Sequence, residues 1–176
     1  MNATIPQILW AVLGTLLYLL LLLPFFLIWI PYRILLSPER IYTFDIGVFR
    51  YLGLVPIALG AIIYVFCSLS FVFIGKGTPI PFTPTKELIV TGLYRFVRNP
   101  LYIAAVFVLA GEALLFQSIG IFIYCLVMFG IFNFHVLMEE TFLADKFGET
   151  YERYCKAVPR WIPRLTPYRG YESESQ

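Results

Sequence analysis

The chain of 176 residues is 60% hydrophobic and only 14% charged, with a mean hydropathy of +0.80. Soluble domains are nearer half apolar and a quarter charged, so a soluble globular domain is excluded. A net charge of +2 offers no footing for nucleic acid.

In lipid the backbone must satisfy its own hydrogen bonds, which predicts helical spans. The first apolar run, residues 8–30, is uncharged over 23 residues. That is too long, and too poor in basic flanks, for a signal peptide. At ~1.5 Å per residue it crosses a ~30 Å hydrocarbon core with some tilt. Pro24 is expected to kink it, and Trp10, Trp29 and Tyr32 fit an interfacial belt. A polar connection over 31–50 carries Arg33, Arg40 and Arg50, and a second uncharged run covers 51–74. In residues 75–90, Pro79, Pro81 and Pro84 favour stiff extended chain and turns.

The third run, 101–117, is short and holds Glu112, which could line an acceptor cavity or act as a protonated hydrogen-bonding group. Gln117-Ser118 predicts a tight turn, with Ser118 capping a fourth run over 119–138. Gly111, Gly120 and Gly130 would let helices approach closely, or are neutral. From Glu139-Glu140 to Ala157 the pattern is amphipathic. Phe142, Leu143, Phe147, Tyr151 and Tyr154 recur at helical spacing, opposite Asp145, Lys146, Glu149, Glu152 and Lys156. One surface helix is expected there, ended by Pro159.

The expected fold is all-α: a polytopic membrane bundle of about four transmembrane helices, with a C-terminal amphipathic helix over a cytosolic site. Its parts would be 1–74, two spans and their connection; 75–167, a core; and 168–176, a disordered tail. Four spans put both termini and residues 75–100 on one side. That side holds four plus six Lys and Arg against three on the other, which makes it cytoplasmic. Cys67, Cys125 and Cys155 have no motif spacing and read as small buried hydrophobes. His135 is the only histidine, and no metal site is expected.

The chemistry gathers around 91–102, TGLYRFVRNPLY. Asn99 and Pro100 suit the cap and first position of a helix whose N–H groups face the same way as Arg95 and Arg98. An anion pocket is one reading, and a snorkelling arginine anchor is the other. Arg95 reads as a headgroup or surface anchor. A helical hairpin brings Arg98 near Glu139 and Glu140, with Tyr151 and Tyr154 beyond. His135 lies one turn before Glu139. Cations and carboxylates together suit a zwitterionic ligand, and aromatic rings nearby suit a sulfonium or a nucleobase.

These residues resemble the isoprenylcysteine carboxyl methyltransferase family, with its bacterial and phospholipid N-methyltransferase relatives. The resemblance rests on Arg98-Asn99-Pro100-Leu101-Tyr102, Glu139-Glu140, Phe147-Gly148, Tyr151, Tyr154 and Val158-Pro159 with Pro163. The preceding GTPIPFTP and TGLYRFV also look like bacterial members. It covers about half the chain, roughly residues 75–164. Asn99 stands where the prenylcysteine enzymes have histidine, and it cannot take a proton at neutral pH. The resemblance implies S-adenosyl-L-methionine held by Tyr94, Arg98, Asn99, Pro100, Tyr102, Glu139, Glu140, Tyr151 and Tyr154, with His135 and Glu139 as catalytic candidates. It also implies a lipophilic or prenylated acceptor reached from the bilayer. An amine acceptor would need a base, whereas a carboxylate would not. Competing readings are phospholipid N-methylation, sterol-reductase-like chemistry with NADPH, and a non-enzymatic scaffold or transporter subunit.

Overall fold

The computed structural model describes residues 24–37, 43–73, 88 and 90–169. Among them every extended element is a helix, and the one β contact is an isolated bridge between Thr43 and Ser118. The helices are α1 (Ile30–Leu35), α2 (Leu54–Phe73), α3 (Pro100–Leu115), α4 (Ile119–Phe147) and α5 (Glu149–Ala157). A π-helical stretch, Phe25–Trp29, leads into α1, and 3-10 turns at Gly47–Gly53 and Gly92–Arg95 precede α2 and α3.

The bend expected at Pro24 falls at the edge of the described residues, and the π turn that follows it is set by Pro31. Pro31 has no N–H for the Leu27 carbonyl, and its ring would crowd that carbonyl in an α-helix. The helix widens instead, and Ile30 donates back to the carbonyl of Phe25. Helix therefore continues to Leu35, into the stretch expected as polar connection. The second apolar element likewise starts early, at Gly47. Pro56 falls in the first turn of α2, where a missing donor costs no intrahelical bond.

Of the four expected spans, two helical stretches among the described residues are long and apolar enough to cross a membrane: Gly47–Ser70 and Ile119–Phe147. Only 28% and 22% of their apolar windows are buried, so these are not core helices of a soluble fold. Val127, Ile131, Phe134 and Leu137 of α4 all turn outward. α3 has 16 residues, or ~24 Å, short of a bilayer core. The first run lies mostly outside the described residues, as do the proline-rich stretch except Leu88 and Val90, and the tail from 170 onward. α4 is ~43 Å long, and Glu139 comes ~30 Å from its start. The di-glutamate therefore falls where the helix has used up the thickness of a hydrocarbon core.

The described residues fall into two compact units. The first draws on Leu16–Val65 and Leu101–Asn133. Its core gathers Leu27, Ala105, Leu109, Cys125 and Met128, and the Tyr124 hydroxyl donates to the Phe26 carbonyl at 3.1 Å. Gly53 and Gly111 meet backbone to backbone: a Cβ on Gly53 would lie 2.4 Å from the Gly111 carbonyl oxygen. Gly120 is tight against Ile34, whereas Gly130 has open space around it and serves no close approach. The turn after α3 is as expected. Gln117 takes φ +53°, its carbonyl accepts from Phe44 N–H, and Ser118 Oγ accepts from Ile121 N–H at 3.3 Å.

The second unit draws on Phe66–Pro100 and Phe134–Gln176. Tyr151, Tyr154 and Val158 form its core, packed by Leu143, Ala144, Phe147 and Tyr168. The single surface helix expected from Glu139 to Ala157 is instead two. α4 runs unbroken to Phe147, and Gly148, at φ 53° and ψ −132°, turns the chain into α5. Only glycine adopts that conformation without strain.

Candidate functional site

The site lies within the second unit and is assembled from three segments. Along α4, Val136, Glu139, Glu140 and Leu143 follow the i, i+3, i+4, i+7 rule and share one face. Along α5 and its exit, Tyr151, Tyr154, Cys155 and Val158 do the same. The third segment, Tyr94 to Asn99, runs from the 3-10 turn to the start of α3. Pro100 opens α3 at the position that needs no N–H.

The C-terminal segment after α5 pairs with this third segment in the antiparallel sense. Arg98 N–H donates to the Pro159 carbonyl at 2.9 Å, Arg164 N–H to Phe96 at 2.9 Å, and Tyr168 N–H to Arg95 at 2.9 Å. Arg95 Nε donates back to the Tyr168 carbonyl at 2.6 Å. Arg95 is thus a backbone clamp, not the surface anchor expected, and the boundary expected at 168 cuts through that clamp. Asn99 Nδ2 donates to the Arg160 carbonyl at 3.3 Å, and the Tyr154 hydroxyl to the Tyr94 carbonyl at 2.7 Å.

These segments enclose a cavity of about 80 Å³, lined among the described residues by Leu88, Tyr94, Arg98, Asn99, Val136, Glu139, Glu140, Leu143, Tyr151 and Tyr154. Arg98 Nη1 donates to Glu140 Oε1 at 2.8 Å and to Cys155 Sγ at 3.0 Å. Arg160 holds the same carboxylate through Nε to Oε1 at 3.0 Å and Nη2 to Oε2 at 2.5 Å. Glu140 therefore accepts three charge-assisted bonds from two guanidinium groups, with Arg98 and Glu140 only 14% and 15% exposed. Arg98 Nε is buried and has no hydrogen-bond partner. A buried donor on a cation is costly to leave unmatched, so it marks a place for an acceptor. Burial pushes the Tyr151 and Tyr154 phenols well above their usual range, with Cys155 and Glu140 adding to it. The bond to Glu140 raises Arg160.

Seven of the nine expected cofactor residues line this cavity: Tyr94, Arg98, Asn99, Glu139, Glu140, Tyr151 and Tyr154. Pro100 and Tyr102 do not. Tyr102 belongs to the first unit, its ring 5.1 Å from that of Phe132. His135 also lies off the lining. Its Nδ1 is 3.8 Å from Glu139 Oε2, and both side chains are about two-fifths exposed. Sequence reasoning missed Arg160 and the part played by Cys155. Arg160 directly follows the Val158-Pro159 pair that carried the resemblance, and that adjacency was the one available signal.

The model of the phospholipid methyltransferase family matches residues 48–150. The chain belongs to this family. The match takes in Arg98, Glu139 and Glu140 but ends before Arg160. Over 79 residues the chain is 34% identical to the protein-S-isoprenylcysteine O-methyltransferase of Schizosaccharomyces pombe, which covers 44% of this chain and 34% of that protein. Over 120 residues it is 26% identical to the cobalt-zinc-cadmium resistance protein CzcN of Cupriavidus metallidurans, covering 68% and 51%. A 44-residue stretch is 43% identical to an uncharacterized protein of Haemophilus influenzae, covering 25% and 65%. The chain thus spans from about a third to just under two thirds of the relatives it matches. No solved structure matches it. The two outward-facing apolar helices and a methyltransferase relative together mark this phospholipid methyltransferase family member as a membrane protein.

Proposed function

We propose that this chain transfers a methyl group from S-adenosyl-L-methionine to a lipophilic acceptor at the membrane interface, and that the acceptor group is an isoprenylcysteine-type carboxylate. The observation that carries the reading is Arg98, which lines a cavity that also presents Glu139 and three tyrosines and whose Nε is buried without an acceptor. This set fits a zwitterion: the guanidinium takes a carboxylate, Glu139 takes an ammonium, and Tyr94, Tyr151 and Tyr154 flank the cationic end. A volume of about 80 Å³ holds several waters' worth of ligand at ~10–15 Å³ each, so it suits the amino-acid end of the cofactor. Bound there, the cofactor would supply an electrophilic methyl group on a sulfonium.

The chain's part is to bind, orient and exclude water, since in-line displacement depends on positioning. A carboxylate acceptor is supported by the shortage of bases. Tyr151 and Tyr154 hold their protons far above neutrality, Glu140 is held by two arginines, Glu139 is taken up by the ligand ammonium, and His135 lies off the cavity lining. An ammonium acceptor would have to lose its proton first. The phospholipid N-methyl reading keeps its place because the family model that matches is the phospholipid methyltransferase one; there Glu139 or His135 would be the base. Both readings put the site and the termini on the cytoplasmic side, supported by the excess of Lys and Arg there.

The deciding experiment is methyl transfer from labelled cofactor to prenylcysteine and to phosphatidylethanolamine between pH 6 and 9, for wild type and His135→Gln. Base-labile product with modest loss in the variant supports a methyl ester. Base-stable product that vanishes with His135 would make the amine reading the right one.

A further inference from the structure

We infer that Arg160 is a positioning residue that sets the Arg98 guanidinium for ligand binding, an inference resting on the function proposed above. Arg160 is bonded to both other segments of the site. Its carbonyl accepts from Asn99 Nδ2 at 3.3 Å, and its guanidinium reaches across to Glu140 on α4. The preceding carbonyl, of Pro159, accepts the Arg98 backbone N–H at 2.9 Å. Two consecutive residues of the C-terminal segment thus hold Arg98 and Asn99 in place and fix the carboxylate that Arg98 grips.

The consequence follows from how a carboxylate is shared. Arg160 approaches with a two-pronged fork and engages both Glu140 oxygens, which leaves Arg98 a single bond, from Nη1 to Oε1 at 2.8 Å. The second contact of that Nη1 is Cys155 Sγ at 3.0 Å. Arg98 Nε, which a fork-to-fork pairing with Glu140 could have used, stays buried and unmatched. Glu140 consequently acts through the two arginines and is not itself the carboxylate that meets a ligand ammonium; Glu139 has that place. Lysine cannot replace Arg160, because a point charge engages one oxygen where the planar fork engages both.

The Arg98 to Cys155 contact supplies a readout that needs neither catalysis nor ligand. When Arg160 is removed, Glu140 is free to take both prongs of Arg98. Nη1 then leaves Cys155, and the thiol becomes more open to an alkylating reagent. The test uses detergent-purified full-length protein. The rate at which iodoacetamide modifies Cys155 is followed by peptide mass spectrometry, and the affinity for S-adenosylhomocysteine by calorimetry. Arg160→Ala is expected to speed modification about fivefold and weaken affinity about thirtyfold, the lower end of what losing one partner of a hydrogen-bonded charge pair costs. Arg160→Lys, which keeps the charge, should show the same two changes in smaller measure. Arg164→Ala, which loosens the same segment at its Ala157 contact without touching Glu140, should leave Cys155 reactivity within twofold of wild type.

Arg160→Lys with wild-type Cys155 reactivity and affinity would overturn the inference, even if Arg160→Ala failed to fold. So would an Arg164→Ala effect equal to that of Arg160→Ala, which would mean that any loosening of the segment suffices. If wild type itself bound no S-adenosylhomocysteine, the proposed function would fall, and Cys155 reactivity would still decide the role of Arg160.

Discussion

Glu139 and Glu140 are neighbours in sequence with opposite roles in the structure, and substitution should separate them. Glu140→Ala deletes an acceptor of three N–H bonds whose side chain is 15% exposed. It leaves Arg98, 14% exposed, unpaired beside a second guanidinium. Removing one partner of a buried pair costs ~3–5 kcal/mol, because the other charge is stranded. Arg160 is 34% exposed and can turn to water, so the lower end applies, about 3 kcal/mol. Glu140→Gln keeps the shape and one acceptor and should cost about 1–2 kcal/mol. Glu139 is 43% exposed, and its Oε2 lies 3.8 Å from His135 Nδ1. Glu139→Ala should therefore cost no more than ~0.5 kcal/mol while weakening ligand binding. The assay is guanidinium unfolding in detergent, followed by tryptophan fluorescence, beside calorimetry with S-adenosylhomocysteine. Equal stability losses for the two alanine variants would refute the assignment of roles.

Three further outcomes are expected. Gly148→Ala meets no atom within 4 Å, so its cost is backbone strain alone, about 1–3 kcal/mol; an unchanged melting temperature would contradict the conformation described. Burial raises the Tyr151 and Tyr154 phenols in the folded state, so both states are neutral below the unfolded value of ~10. Above it the unfolded chain releases protons that the fold retains. Stability is then full below about pH 10 and falls as pH rises further. Tyr154→Phe should soften that fall at a cost of about 1 kcal/mol for the lost bond to the Tyr94 carbonyl; unfolding measured from pH 7 to 11 checks both. A cysteine placed at Lys156, exposed on α5, should resist an impermeant maleimide in intact cells, and labelling from outside would reverse the proposed sidedness.

Much of the site was legible because its signals are local. Pro100 opens a helix, Ser118 closes a turn, and residues 136 to 143 carry a helical face whatever surrounds them. What escaped depends on pairings across long sequence separations. Nothing near Arg95 in the chain announces that its partner is Tyr168, 73 positions away. Arg160 looked like one more basic residue of the C-terminal stretch, because its meaning comes from Glu140, 20 positions earlier. Tyr102 was drawn into the site by its place in a motif, yet a residue two positions past a helix start points elsewhere, and its ring meets Phe132. The break at Gly148 was visible as a glycine, but periodicity continued across it, since Phe147, Tyr151 and Tyr154 face the same core on either side.

The central claim is that Arg98 and its surroundings form a site for S-adenosyl-L-methionine, and the most direct test is equilibrium titration of that cofactor into purified wild type and Arg98→Ala. The account predicts saturable binding to wild type, no competition by NADPH, and an affinity well over tenfold weaker in the variant, as loss of a desolvated charge contact of ~2–5 kcal/mol requires. Affinities within twofold of each other would contradict it.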